Sequence, residues 1–110
     1  MKKKKDMGII LLDMFVRMQS EYPDISPDRV LIIETKLLKY IITPARTEIM
    51  EAIQENRPNS VGELVKLVNR PQESVSRDLK ILNNYGVLDF VKIGNVRKPI
   101  IEKDIIAVQC

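Results

Sequence analysis

Residues 71–84 read PQESVSRDLKILNN, and the polar side chains in this stretch have the types and spacing for chemistry on a polyanion. At 100° per residue, Val75, Leu79 and Leu82 fall on one side of a helix. Glu73, Ser76, Arg77, Lys80 and Asn84 collect on the other side, with Gln72 and Ser74 flanking the amino end. That side offers hydrogen-bonding and basic groups and no large apolar residue, which suits base edges and phosphates. Arg77 has the fork to grip a guanine through two hydrogen bonds, and Gln72 has the amide to read an adenine. Ser74, Ser76 and Lys80 suit phosphate. Arg77 beside Asp78 also reads as a solvated surface pair, which would be worth little.

A second cluster lies twenty or so residues downstream. Gly94-Asn95 separates two β-rich runs, residues 87–93 and 96–101, and is a two-residue hairpin signal. Such a turn sets Ile93 against Val96 and Lys92 against Arg97. Like charges facing each other across a hairpin are mildly destabilising, so this pair makes sense with a phosphate beside it. Arg97 and Lys98, with Asn95 at the tip, can also reach a minor groove. The plainer reading is that these cations keep an edge strand from aggregating. Residues 70–98 hold Arg70, Arg77, Lys80, Lys92, Arg97 and Lys98 against Glu73, Asp78 and Asp89. Set Lys2, Lys3, Lys4 and Lys5 aside, and basic and acidic residues nearly balance over the rest of the chain. Local clustering, not the formal +3, therefore carries the charge argument.

Other chemistry is poorly supplied. The chain has no His, which removes imidazole acid–base catalysis, Ser-His and Cys-His pairs and His-ligated metals. Its single cysteine, Cys110, cannot form an intrachain disulfide. Glu48, Glu51 and Glu55 share one helix face, and carboxylates can hold Mg²⁺, but an acidic stripe opposite a core reads as solvated surface. With no phosphate-cradling loop or nucleophile–base pair either, the expectation is a non-enzyme without metal or cofactor.

The elements that must position these residues fit one modest domain or a domain with an extension. The chain has 110 residues, 45% apolar and 30% charged, a soluble globular composition. The opening MKKKKDMGIILLDMF imitates an export signal, but Asp6 and Asp13 interrupt it and no small-residue cleavage site follows. Residues 7–18 are too short to span a bilayer, so a cytoplasmic location is expected. Residues 6–20 are apolar nearly all round. They are read as an extra amino-terminal helix buried from more than one side, hence as the contact of a homodimer, although Ile-Ile-Leu-Leu also fits a strand.

Residues 30–33 suggest a strand and residues 35–41 a short helix. Thr43-Pro44 starts a helix running to Asn56. Ser60 and Glu63 form a capping box that opens a short helix over residues 61–67. After a tight turn at Asn69-Arg70, Pro71 begins the helix that closes at Tyr85-Gly86. A last strand is expected within residues 104–109. The expected fold class is mainly α with a small β-wing. Residues 1–42 form a tail and dimerisation element, and residues 43–110 a winged helix-turn-helix domain.

Val61-Gly62-Glu63-Leu64-Val65, then Val75-Ser76-Arg77-Asp78-Leu79-Lys80-Ile81-Leu82, then Tyr85-Gly86-Val87-Leu88 resemble the winged helix-turn-helix transcriptional regulators of bacteria and archaea. The pattern is similar to MarR- and ArsR-like proteins, and to small regulators whose wing ends in a Lys-Pro-Ile stretch, here Lys98-Pro99-Ile100. The resemblance covers residues 43–101. It implies binding to double-stranded DNA, with residues 72–80 contacting bases and residues 92–98 forming the wing. ArsR-type metal sensing does not carry over, because the cysteines and histidines it uses are missing. MarR-type ligand sensing does not carry over either, since the long flanking dimer helices are not evident. The alternative is a winged-helix module that binds protein.

Overall fold

Segments from opposite ends of the chain share one sheet. A computed structural model describes residues 8–11, 16 and 26–109. The fold is α+β, in the order β1 (Gly8–Leu11), a 3₁₀ turn (Pro27–Arg29), β2 (Val30–Glu34), α1 (Thr35–Ile41), α2 (Pro44–Asn56), α3 (Val61–Val68), α4 (Gln72–Asn84), β3 (Asp89–Ile93), β4 (Val96–Ile100) and β5 (Ile105–Gln109). Two compact units result, one from Met1–Tyr40 with Lys103–Cys110, the other from Ile41–Glu102. No helix among the described residues is long and apolar enough to cross a membrane.

In the first unit β5 is the central strand of a three-stranded parallel sheet, ordered β1-β5-β2. Ile9 lies beside Ile106, and Ile106 beside Leu31. Ile106, Ala107 and Val108 are consecutive and all buried. Successive strand residues point to opposite faces, so both faces of β5 are covered around its middle, as parallel sheets require. Arg29 locks the entry to the sheet. Its guanidinium donates to both Asp104 carboxylate oxygens, at 2.7 and 3.2 Å, and its carbonyl accepts from the Asp104 N–H at 2.7 Å. Ser26 donates to the Asp28 carboxylate, which holds that carboxyl below its ordinary range.

Two expectations are corrected here. Gly8–Leu11 is a strand, not the start of an apolar helix. A short apolar run such as Ile-Ile-Leu-Leu fits a strand and a helix alike, so periodicity does not separate them. The remainder of the expected helix lies outside the described residues, apart from Val16, which is helical and exposed. Pairing with β5 supplies the strand's backbone hydrogen bonds, while Ile9 remains 49% exposed. The other correction concerns residues 103–110, read as the end of the second unit. Their strand pairs with β1 and β2 in the first.

The second unit follows its local signals closely. The Thr43 hydroxyl accepts from the Arg46 N–H at 3.2 Å, and Pro44 occupies the first turn of α2, where it loses no hydrogen bond. Replacing Thr43 with Ala is expected to cost about 1 kcal/mol of stability in urea denaturation. Arg57 ends α2 in the left-handed region, and its N–H donates to the Ile53 carbonyl. The Ser60 hydroxyl accepts from the Glu63 N–H, and the Glu63 carboxylate reaches back to the N–H of Asn59, one residue before the cap. Asn69 ends α3, also left-handed, a conformation that Asn tolerates well. Pro71 sits at the cap of α4 and not inside it as expected, with no side-chain cap bond. Ile49, Met50, Ile53, Leu64, Val68, Val75, Leu79 and Leu82 are buried, and Val87, Leu88 and Pro99 with them. β3 and β4 pair antiparallel about Gly94, whose φ of +63 suits the first position of a two-residue hairpin turn.

Candidate functional site

Helix α4 shows two chemistries on opposite sides. Val75, Asp78, Leu79 and Leu82 face inward. Glu73, Arg77, Lys80 and Asn84 form a continuous exposed stripe, and Gln72 is exposed at the amino end. Ser76 is half-buried on the flank. Ser74 is also half-buried, and its hydroxyl is already engaged by the Arg70 guanidinium. Its expected role on phosphate therefore competes with an existing partner. Because α4 lacks a side-chain cap, its first-turn N–H groups and the positive end of its dipole add an attraction for anions.

Three residues outside the expected site, Arg46, Arg70 and Asp78, hold this helix in place. Asp78 is 8% exposed, and it is not a surface partner of Arg77. One carboxylate oxygen accepts from Arg46 Nε at 3.1 Å, the other from Arg70 at 2.7 Å. The two guanidiniums also donate to the Ile41 and Ala45 carbonyls, at 3.4 and 3.5 Å. The network thus joins the start of α2, the turn before α4 and the inner face of α4. Asp78 lies one turn from Val75 and Leu82, so the same helical projection that found the core already placed a carboxylate on its inner side. Arg46 had no comparable signal, because its partner is 32 residues away in sequence. Arg70 is consumed by this contact and leaves the local basic excess. The cations that remain open to solvent are Arg77, Lys80, Lys92 and Arg97, with Lys98 half-buried.

The hairpin keeps the expected register, with Lys92 opposite Arg97 and Ile93 opposite Val96. Lys92, Asn95 and Arg97 are exposed. The Arg97 guanidinium lies over the Phe90 ring, 4.4 Å from its centroid. That stacking draws Arg97 along β3 toward Phe90 and relieves the like-charge pair without an anion. Alternation sends Lys98 to the face opposite Lys92 and Arg97, so Arg97 and Lys98 do not act as one pair. Among the described residues no three His, Cys, Asp or Glu side chains gather as a metal site would need.

A family model described as HVO_A0114 matches residues 41–108. The chain belongs to the HVO_A0114 family. The matched span takes in α2, α3, α4, the β3–β4 hairpin and most of β5, so the exposed stripe of α4 and the Arg46–Asp78–Arg70 network both lie within the HVO_A0114 region. No curated protein matches the chain.

Proposed function

We propose that this HVO_A0114-family protein is a sequence-specific double-stranded DNA-binding regulator of the winged helix-turn-helix type. In this reading α2, α3 and α4 are the three helices, α4 enters the major groove, and the β3–β4 hairpin is the wing. The observation that carries it is the exposed stripe of α4. Arg77 and Lys80 stand in solvent while the opposite side of the same helix is locked into the core by Val75, Asp78 and Leu79. The three-residue turn from Asn69 to Pro71 is of the length that lets two helices cross steeply. A homodimer would set two such helices about 34 Å apart on a pseudo-palindrome.

Selection of bound sequences from random duplex DNA tests this directly. The expected result is one enriched motif whose affinity falls steeply with added salt, as release of counterions from phosphates demands. An enriched inverted repeat together with a dimer in sedimentation supports the two-fold arrangement. Failure to enrich any sequence counts against the whole reading. A protein-binding module is the second reading, favoured by the exposed carboxylates Glu48, Glu51 and Glu55 along α2, which would repel a polyanion approaching that helix. It requires duplex binding to be indifferent to Arg77.

A further inference from the structure

The outer side of β2 is a sheet edge. Its inner side pairs with β5, and among the described residues no strand pairs with the other side. A free edge presents a row of unpaired N–H and C=O groups, and natural proteins blunt such edges with Lys, Pro, bulges or charges. The β3–β4 hairpin follows that rule, with Lys92 on β3 and Arg97, Lys98 and Pro99 on β4. β2 does not follow it. It reads Val30-Leu31-Ile32-Ile33-Glu34, four apolar residues in a row before one charge. Ile32, at its middle, is 53% exposed, although its neighbour Ala107 on β5 is fully buried. β1 also lacks blunting residues, but the charges that flank it lie outside the described residues. β2 has described charges at both ends. Asp28 precedes it, and Glu34 and Lys36 stand at its close, all three exposed. Lys36 lies 3.8 Å from Glu34, a solvated pair worth little.

We propose that β2 pairs with the β2 of a second copy of this chain, antiparallel about a two-fold axis at Ile32, so that two three-stranded sheets join into one. Charge selects both the occupant and the direction. In this register Ile32 meets its own counterpart, Leu31 lies opposite Ile33, and Val30 lies opposite Glu34. Asp28 of each copy comes alongside Lys36 of the other, twice by symmetry, and no like charges face each other. Parallel pairing in register would instead set Asp28 against Asp28, Glu34 against Glu34 and Lys36 against Lys36. The edge is thus complementary to itself in one direction, and that direction covers the exposed Ile32 with an identical residue. The proposal moves the homodimer contact from residues 6–20 to β2. It supplies the contact for the homodimer that the DNA-binding reading invokes, and it stands without DNA. One short ladder is a small contact, so a weak dimer that dissociates in the micromolar range is expected.

Sedimentation equilibrium on the full chain, at low salt and without DNA, tests this. Wild type should pass from monomer to dimer across the micromolar range. Ile32→Lys sets two ammonium groups side by side at the axis and should raise the dimer dissociation constant about tenfold or more. Lys36→Glu turns the contact with Asp28 repulsive and should also weaken the dimer. Asp28→Lys combined with Lys36→Glu should restore it, which a general loss of stability would not do. If Ile32→Lys shifts the unfolding transition, this charge exchange, made on exposed side chains only, carries the test. A wild-type chain that stays monomeric throughout the micromolar range overturns the proposal. So does a dimer indifferent to Ile32→Lys, which would assign the contact to another surface, and so does a Lys36→Glu variant that loses nothing or that Asp28→Lys does not rescue. A wild-type dimer that responds to these variants but enriches no duplex supports the proposal and ends the DNA reading alone.

Discussion

Replacing Asp78 with Ala is expected to remove about 3–5 kcal/mol of unfolding free energy. The carboxylate is nearly buried and bridges Arg46 and Arg70, whose side chains are themselves only 12% and 21% exposed. Truncation leaves two guanidiniums facing an empty space that they cannot fill with water freely, and the cost is that of uncompensated charge, not of one lost hydrogen bond. Small domains have about 5–15 kcal/mol to lose, so the variant should forfeit a large fraction of its stability. Asp78→Asn, which keeps one accepting oxygen, should fall between wild type and Ala. Urea denaturation followed by circular dichroism measures this, with an unchanged m-value confirming that the same unit unfolds. A loss below about 1 kcal/mol would mean that the three side chains behave as an ordinary solvated cluster.

The same residue shows what can be read from the sequence and what cannot. Signals that act within a few residues translated directly into structure. Thr43-Pro44 starts α2, Ser60 with Glu63 starts α3, Gly86 follows α4 with a φ of +81, and Gly94-Asn95 turns the hairpin in the expected register. Each is a local contest between backbone hydrogen bonds and side-chain geometry, decided without the rest of the chain. Pairings across the chain were not legible. β5 reaches strands about 75 and 97 residues earlier, as the pairings of Val30 and Gly8 with Ile105 show, and no periodicity in Gly8-Ile9-Ile10-Leu11 names its neighbour. Loop closure over such distances is settled by total burial, which a short window does not contain.

The candidate site divides along the same line. The exposed stripe of α4 follows from helical angle alone, because Val75, Leu79 and Leu82 define the opposite side. The charge of the region does not, because it depends on which cations find internal partners. Arg70 is neutralised by Asp78, and Arg97 is stacked on Phe90. In sequence alone the like-charge pair Lys92–Arg97 is a phosphate signal; with Phe90 beneath Arg97 it is a weaker one. The functional reading consequently rests more heavily on α4 than on the hairpin, and within α4 on one side chain.

Arg77 is that side chain. It adjoins Asp78 in sequence but is turned about 100° from it around the helix, exposed where Asp78 is buried. Arg77→Ala should leave stability within about 0.5 kcal/mol of wild type, as exposed substitutions do. On the enriched duplex it should weaken binding by about 1–3 kcal/mol. Arg77→Lys then separates two ways of achieving that loss. A guanidinium that grips guanine through two parallel hydrogen bonds cannot be replaced by an ammonium of different geometry, so Lys should behave much like Ala at that base pair. A guanidinium that only neutralises phosphate is replaced adequately by Lys, and the Ala variant then weakens all duplexes alike with a shallower salt dependence. Fluorescence anisotropy on the enriched duplex and on one carrying the altered base pair distinguishes these outcomes. Wild-type affinity for both duplexes in the Arg77→Ala variant would remove α4 from the interface and shift the case to the protein-binding module.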